Sequence, residues 1–321
     1  MITAGIVGGA GYVGGEMVRL LINHPEVKIK YVSSQSQSGK KLYEVHRDLL
    51  GSTELSFSAP YDTDVDVLFL CMGHGKSSEY LSKVDVSENT VIIDLSRDFR
   101  LVADAGDFVY GLCELNKKDI QASTRIANPG CFATCIQLAL LPMASADKIS
   151  TDVHVTAITG STGAGQKPIA TTHFSWRNNN ISIYKAFTHQ HLDEIHQSVI
   201  QLQPSFDQEI NFIPMRGDFT RGIFASVYFD CDLSEEEAIQ SYTDYYQDSP
   251  FIHVSTSPIS VKDVVNTNNG YLYISKHNNK LRIESVIDNL QKGAAGQAVQ
   301  NMNLVFGFNE DLGLQLKPLS F

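Results

Sequence analysis

The sequence predicts an α/β protein of two domains, a parallel doubly wound sheet followed by a mixed sheet. Three observations carry this. A length of 321 residues suits roughly two domains. The chain opens with a strand, a glycine-rich turn and a helical pattern, and short buried strands then alternate with helical stretches. From Val153 onward, alternating strand signals outnumber helical ones.

Composition narrows the class. Hydrophobic residues make up 43% and charged residues 19%, an ordinary globular balance. The net charge of −11 argues against nucleic acid as the main partner, while local arginines and lysines can still oppose that field for an anionic small molecule. The five cysteines (71, 113, 131, 135 and 231) follow no disulfide or CxxC spacing, so a reducing cytoplasm is expected. The start, Met1-Ile2-Thr3-Ala4-Gly5, has no basic leader character, and no run of about 18 apolar residues predicts a membrane span.

Ile2 to Val7 reads as the first strand. It leads into Gly8-Gly9-Ala10-Gly11-Tyr12-Val13-Gly14 and then a helical pattern through Val18, Leu20, Leu21 and Ile22. Strand, glycine turn and helix in this order are the context of a dinucleotide fingerprint. Glycines let the backbone approach a pyrophosphate, and the helix start favours its charge. Both Gly9-x-Gly11-x-x-Gly14 and Gly8-x-x-Gly11-x-x-Gly14 fit. Lys28 to Ser33 reads as the second strand. Ser33, Ser34, Gln35 and Ser36 stand at its end, with Lys40 and Lys41 beyond, and no acid for a ribose hydroxyl. Hydroxyls and lysines suit a 2′-phosphate, which favours NADP over NAD. Val65 to Cys71 is another buried strand, and its position suggests that the following Met72-Gly73-His74-Gly75 touches the cofactor. Val91 to Leu95 leads into Ser96-Arg97-Asp98-Phe99-Arg100, two arginines placed for an anion or for surface ion pairs.

Cys131 lies in Ala127-Asn128-Pro129-Gly130-Cys131-Phe132-Ala133-Thr134. Pro129 and Gly130 read as a tight turn, and Phe132 to Leu141 as a helix. The thiol is thus placed at or near a helix N-terminus, where unpaired N–H groups favour negative charge, the setting a cysteine nucleophile needs. Packing as a small hydrophobe is the competing reading.

Val153 to Thr159 reads as a strand. The loop Gly160-Ser161-Thr162-Gly163-Ala164-Gly165 follows, able to cradle a phosphate or carboxylate through exposed N–H groups or to serve as a plain connection. Thr188-His189-Gln190-His191-Leu192-Asp193-Glu194 opens a helix ending near Leu202, with His191 and Glu194 three apart on one face. The spacing is not that of a zinc site, and no metal is expected. Ile210 to Pro214, Gly222 to Phe229, Tyr271 to Ser275 and Leu281 to Ile287 read as strands, and Ser234 to Tyr246 as a helix with a Ser234/Glu237 capping box. Between two of the strands, Met215-Arg216-Gly217-Asp218-Phe219-Thr220-Arg221-Gly222 is a candidate for part of a substrate pocket or a subunit contact. The tail Asp288-Asn289-Leu290-Gln291-Lys292-Gly293-Ala294-Ala295-Gly296-Gln297-Ala298 precedes an apolar helix from Val299 to Phe306.

Taken in order, the Gly-x-x-Gly-x-x-Gly turn, Asn-Pro-Gly-Cys-Phe-Ala-Thr, His-x-His-x-x-Glu-Ile and Lys-Gly-Ala-Ala-Gly-Gln-Ala closely resemble the N-acetyl-γ-glutamyl-phosphate reductase family of arginine biosynthesis, over essentially the whole chain. Asp94-Leu95-Ser96-x-Asp98-Phe99-Arg100 also fits its pattern. Cys135 and Thr162 depart from it, standing where a small residue and a serine are usual.

The resemblance implies a Rossmann-type NADP domain plus a mixed α/β substrate domain, like glyceraldehyde-3-phosphate and aspartate-semialdehyde dehydrogenases. Residues 1–130 with 290–321 would form the first, and 131–289 the second. It implies an NADP-dependent acyl-phosphate reductase acting through a cysteine thioester on an N-acyl-γ-glutamyl phosphate (acetyl or succinyl), and a homodimer or homotetramer. Cys131, His191 and Glu194 would be catalytic, with His189 the other imidazole for proton transfer or substrate contact. Gly8, Gly11, Tyr12, Val13, Gly14, Ser33, Ser34, Gly73, Asn289 and Gly293 would face NADP(H). Arg97, Arg100, Asn128, Ser161, Gly163 and Gly165 would face the substrate. Aspartate-semialdehyde dehydrogenase and a catalytically silent NADP-binding regulator are the rival readings.

Overall fold

The computed structural model describes residues 1–59 and 63–319. The chain divides into two compact units: Met1–Pro129 with Ala294–Gln315, and Gly130–Gly293 with the chain end from Leu316.

The first unit holds a seven-stranded sheet among the described residues. Its strands are β1 (Ile2–Val7), β2 (Val27–Ser33), β3 (Phe57–Ser58), β4 (Val67–Leu70), β5 (Val91–Asp94), β6 (Val109–Tyr110) and β7 (Arg125–Ala127). They run in the order β3-β2-β1-β4-β5-β7-β6, every pairing parallel. Parallel strands are buried on both faces, which is why β4 and β5 are apolar throughout except for the terminal Asp94. The order reverses between β1 and β4, and the crevice beyond the carboxyl ends at such a switch point is where open α/β sheets bind ligands. The glycine turn after β1, Ser33 at the end of β2 and Gly73 after β4 all follow those ends.

The helix Tyr12–Leu21 buries Met17, Val18, Leu20 and Leu21. The late helix is Gly296–Val305, and it is less apolar than its sequence suggests. It buries Gln297, Gln300, Asn301 and Asn303. Asn301 Nδ2 donates to Gly111 O at 2.9 Å and to Asn128 Oδ1 at 3.1 Å, Asn303 Nδ2 donates to the carbonyls of Glu310 and Leu312, and Gln297 Nε2 donates to Gly111 O at 3.2 Å.

The second unit holds a mixed seven-stranded sheet among the described residues: β8 (Val153–Thr159), β9 (Ser182–Ile183), β10 (Ile210–Arg216), β11 (Ile223–Asp230), β12 (Ile252–Ser255), β13 (Gly270–His277) and β14 (Lys280–Ile287). The order is β12-β13-β14-β11-β8-β10-β9, with parallel pairs at β12/β13 and β8/β10 and antiparallel pairs elsewhere. Buried and exposed residues alternate along β8, β10 and β11, as expected for a sheet covered on one face. The covering helix is Cys131–Ser145, buried from Phe132 to Ala144, beside the helix His191–Leu202. Pro142 lies inside this helix and cannot donate to the Leu138 carbonyl four residues back. Tyr246 supplies the missing donor, its hydroxyl 2.7 Å from Leu138 O. The neighbouring Tyr242 hydroxyl donates to Ala139 O. Both tyrosines belong to the helix Glu235–Tyr246, which starts on the expected Ser234/Glu237 box.

Two local expectations differ from what forms. Pro129 and Gly130 make no turn; Gly130 is extended, at φ −72° and ψ 148°, and is itself the N-cap. Strands β9 and β12 and the helix Cys113–Gln121 add to the elements read from the sequence.

Candidate active site

Cys131 is the first residue of its helix. The N-cap Gly130 offers no side chain to the first turn, and the turn carries no acid of its own, so its N–H groups face the thiol without a cap from the helix itself. Gly293 packs directly on it: a Cβ at 293 would meet Cys131 Cβ at 2.8 Å.

His191 begins the neighbouring helix, whose buried face carries His191, Glu194, Ile195, Ser198 and Val199. The spacing of three does bring His191 and Glu194 together, but at 3.9 Å between Nε2 and Oε1. That is an ion-pair distance and too long for a hydrogen bond. The other carboxylate oxygen accepts the Gly130 N–H at 2.9 Å. Glu194 therefore faces both the histidine and the backbone just before Cys131.

His189 is buried in a cage of rings. Phe132 and Phe212 lie edge-on at 5.5 Å, Tyr184 at 5.8 Å and His191 at 4.6 Å. Its Nδ1 accepts the His191 N–H at 3.2 Å. Burial pushes its pKa down to about 4, with the charges of Lys185 and Arg216 acting the same way. The ring is neutral near pH 7, and the Nδ1 bond assigns its proton to Nε2. The chain reaches it through Lys185 and Phe187, both left-handed at φ 46° and 59°. Such strain costs on the order of 1–3 kcal/mol per residue and gathers where function fixes a loop. Tyr184 and Arg216 join the cluster without having been assigned a role from the sequence, although the loop containing Arg216 reads as pocket material. Burial pushes the Tyr184 phenol up to about 12, charge on Cys131 adds to this, and Arg216 opposes it.

In the first unit the glycine turn has the shape a dinucleotide needs. Gly8 is left-handed at φ +83°, and a Cβ there would meet Cys71 O at 2.7 Å. A Cβ at Gly14 would meet Gly9 Cα at 2.5 Å. Gly11 is the N-cap of a helix with no acid in its first turn, and space opens around it. Tyr12 is exposed and Val13 half-buried. His46 Nε2 lies 2.8 Å from Gly9 O and braces the turn from below. Ser33 accepts the Gly8 and Gly9 N–H groups through its carbonyl, while its buried hydroxyl has no partner among the described residues. Ser34 is buried beside it and Gly73 is exposed with open space around it. Of the two lysines beyond, Lys41 is tied to Glu54 and Lys40 is exposed. A turn that excludes side chains and an orphaned hydroxyl at the end of β2 fit a bound nucleotide.

Several polar residues expected to face ligands are engaged by the chain itself. Arg100 is buried, donating to Asn128 O at 2.8 Å and Leu95 O at 3.1 Å. Asn128 uses its N–H on Asp94 O, its amide NH₂ on Ala294 O and its Oδ1 on Asn301. Asn289 accepts the Gly222 N–H at 2.7 Å and donates to Thr162 Oγ1 at 3.0 Å. The N–H groups of Ser161, Thr162, Gly163 and Gly165 all donate to carbonyls of their own unit, so this loop does not cradle an anion through them. What it offers is the half-exposed Ser161 side chain and the exposed backbone at Gly163 and Gly165. Arg97 is exposed, and its guanidinium makes no bond among the described residues. Asp98 accepts the N–H groups of Gly75, Ser77 and Ser78. Among the described residues no cluster of His, Cys, Asp and Glu is arranged to hold a metal ion.

Residues 3–123 match the semialdehyde dehydrogenase NAD-binding domain, and residues 131–289 the semialdehyde dehydrogenase dimerisation domain. N-acetyl-gamma-glutamyl-phosphate reductase of Phocaeicola vulgatus is 54% identical over 322 residues, covering 100% of both chains. That of Bacteroides thetaiotaomicron is 54% identical with the same coverage. The chain belongs to the N-acetyl-γ-glutamyl-phosphate reductase family. Among solved structures, aspartate semialdehyde dehydrogenase II of Vibrio cholerae superposes with a TM-score of 0.77 over 96% of this chain and 98% of that one, at 19% identity. The reductase family thus shares its fold with aspartate-semialdehyde dehydrogenases, and that rival reading is a likeness of fold. Cys131, His191 and Glu194 lie in the second unit and the glycine turn in the first.

Proposed function

We propose that this chain is an NADPH-dependent reductase of an N-acyl-γ-glutamyl phosphate in arginine biosynthesis, yielding the N-acylglutamate semialdehyde and phosphate. The observation that carries it is Cys131 at the start of a buried helix whose preceding N–H is bonded to Glu194, three residues from His191. Full-length identity to reductases of that name supports the substrate class.

The Cys131 thiolate attacks the acyl carbon, the C–O bond to phosphate breaks, and a thioester remains. The glycine turn with Ser33 and Ser34 would hold NADPH, which when bound would supply the hydride that reduction of a thioester needs. His189, neutral with its proton on Nε2, donates a hydrogen bond to the developing oxyanion, as do the N–H groups of the helix start. A ring with a pKa near 4 is a poor proton donor at neutral pH, so proton transfer falls to His191, oriented by Glu194. As the carbonyl re-forms, the C–S bond breaks and Cys131 leaves as thiolate. The exposed Arg97 guanidinium, which makes no bond among the described residues, is available to an anion, and Arg100 positions the Asn128 backbone. The Ser33 hydroxyl, Ser34 and Lys40 favour a 2′-phosphate on the nucleotide.

The enzyme assembles as a homodimer or homotetramer through residues of its dimerisation domain. Exposed Phe174, Trp176, Ile181, Ile183 and Phe187 supply an apolar face for this. Its described cysteines are all free thiols, as the reducing cytoplasm keeps them. The test is phosphate-dependent reduction of NADP⁺ by N-acetylglutamate, N-succinylglutamate and aspartate semialdehydes. Turnover with an N-acylated glutamate semialdehyde supports the reading; turnover with aspartate semialdehyde alone refutes it.

A further inference from the structure

Arg216 ends β10, with its guanidinium carbon 4.6 Å from the centroid of the Tyr184 ring. It is half-buried, its Nε is shielded from solvent with no acceptor, and it forms no ion pair among the described residues. The neighbouring Arg177 is buried and donates only to uncharged groups: the carbonyls of Thr171, Asn180 and Arg216 and the Ser182 hydroxyl. Lys185 reaches Gln190 Oε1. The acid in this group is Asp218, whose Oδ2 already accepts the Asn179 N–H at 2.6 Å. Lys185 and Arg216 thus both act on His189, while Arg216 and Asp218 both act on Arg177. Keeping a guanidinium out of water without a counter-ion is costly, and the cost is met where a ligand brings the opposite charge.

The position of this charge says which anion it meets. The Tyr184 ring under Arg216 has its centroid 5.8 Å from that of His189, which in turn is 5.5 Å from the ring of Phe132, the residue next to Cys131. An acyl carbon under attack by Cys131 holds its phosphate beside the sulfur until the C–O bond breaks. The far end of a five-carbon acylated amino acid is its α-carboxylate. We propose that Arg216 binds the α-carboxylate of the acyl-glutamyl substrate, with the Tyr184 ring as the platform that fixes the plane of the guanidinium. The planar fork matches a carboxylate through two parallel N–H bonds, and stacking on a ring pre-orients it. This rests on the reductase reading above.

In the reverse direction the substrate's two anions arrive separately, the carboxylate on the semialdehyde and the phosphate as the free ion. Arg216→Gln should raise KM for the N-acylglutamate semialdehyde about 10- to 100-fold, the worth of a charge-assisted pair, and leave KM for phosphate and NADP⁺ unchanged. Arg216→Lys, with charge but no fork, should fall between. Sedimentation mass should match the wild type. An unchanged semialdehyde KM, a raised phosphate KM instead, or a loss of subunits would overturn the assignment. Calorimetric titration with N-acetyl-L-glutamate gives a readout without turnover: binding by the wild type that Arg216→Gln abolishes supports the carboxylate site, and equal binding by both, or none by the wild type, refutes it. An active enzyme indifferent to Arg216→Gln sinks this proposal alone. A chain that binds N-acetyl-L-glutamate through Arg216 yet turns over no semialdehyde sinks the reductase reading instead.

Discussion

Glu194 Oε2 accepts the Gly130 N–H at 2.9 Å, so the helix that begins at Cys131 is tied at its first peptide to the helix that begins at His191. One carboxylate serves both, since its other oxygen lies 3.9 Å from His191 Nε2. Glu194→Ala strands a buried N–H and should lower stability by about 1–3 kcal/mol in urea unfolding. Glu194→Gln keeps an acceptor oxygen and should recover most of that stability. It removes the charge facing His191, so kcat should fall in both variants. An alanine variant that unfolds like the wild type would show that the Gly130 bond contributes nothing.

Cys131→Ser should abolish turnover and leave NADPH binding, followed by fluorescence titration, close to that of the wild type. The hydroxyl has no accessible anion near neutral pH, whereas a thiol at a helix start does. Residual turnover within tenfold of wild type would remove Cys131 from the mechanism.

The two imidazoles should separate by pH. His189 is pushed from its ordinary 6.5 to about 4 by burial. Between those values the unfolded chain takes up a proton that the folded chain refuses, so stability falls as pH drops from 6.5 towards 4. Urea unfolding at pH 7 and pH 4.5 should show this loss in the wild type and a smaller one in His189→Gln. His191→Asn should instead lower kcat by roughly 10²–10⁴ at neutral pH. If His189→Gln gave the larger kinetic loss, the roles assigned here would exchange.

Gly293→Ala places a methyl 2.8 Å from Cys131 Cβ, where something must shift. Overpacking of this kind costs about 1–3 kcal/mol. The variant should lose kcat through a displaced thiol while KM for NADP⁺ holds. A raised KM for NADP⁺ with kcat intact would return Gly293 to the nucleotide.

The glycine turn and the Cys131 helix were legible because their determinants are local. Gly8 is required by its left-handed φ of +83° and Gly14 by its contact with Gly9 within one βα unit, and the helix is signalled by its largely apolar run. Tyr184 and Arg216 were not legible as a pair. They meet where the two-residue strand β9 aligns with the end of β10, and two residues have no periodicity to read. Arg100, Asn128 and Asn289 show the opposite difficulty. A polar residue in a motif has the same local signature whether it binds a ligand or the chain's own carbonyls, and these three bind carbonyls, amides and a hydroxyl of the chain. The Glu194 bond to Gly130 spans 64 residues, a separation at which no sequence spacing gives a signal.

Pro142 and Tyr246 form a matched couple within the second unit. The proline frees the Leu138 carbonyl, and the tyrosine hydroxyl occupies it at 2.7 Å. The dependence runs one way. The carbonyl oxygen has two lone pairs, so it could accept a helical N–H and the tyrosine hydroxyl together, whereas the proline without the tyrosine leaves a dry acceptor. Tyr246→Phe should therefore cost more stability with Pro142 in place than with an alanine there.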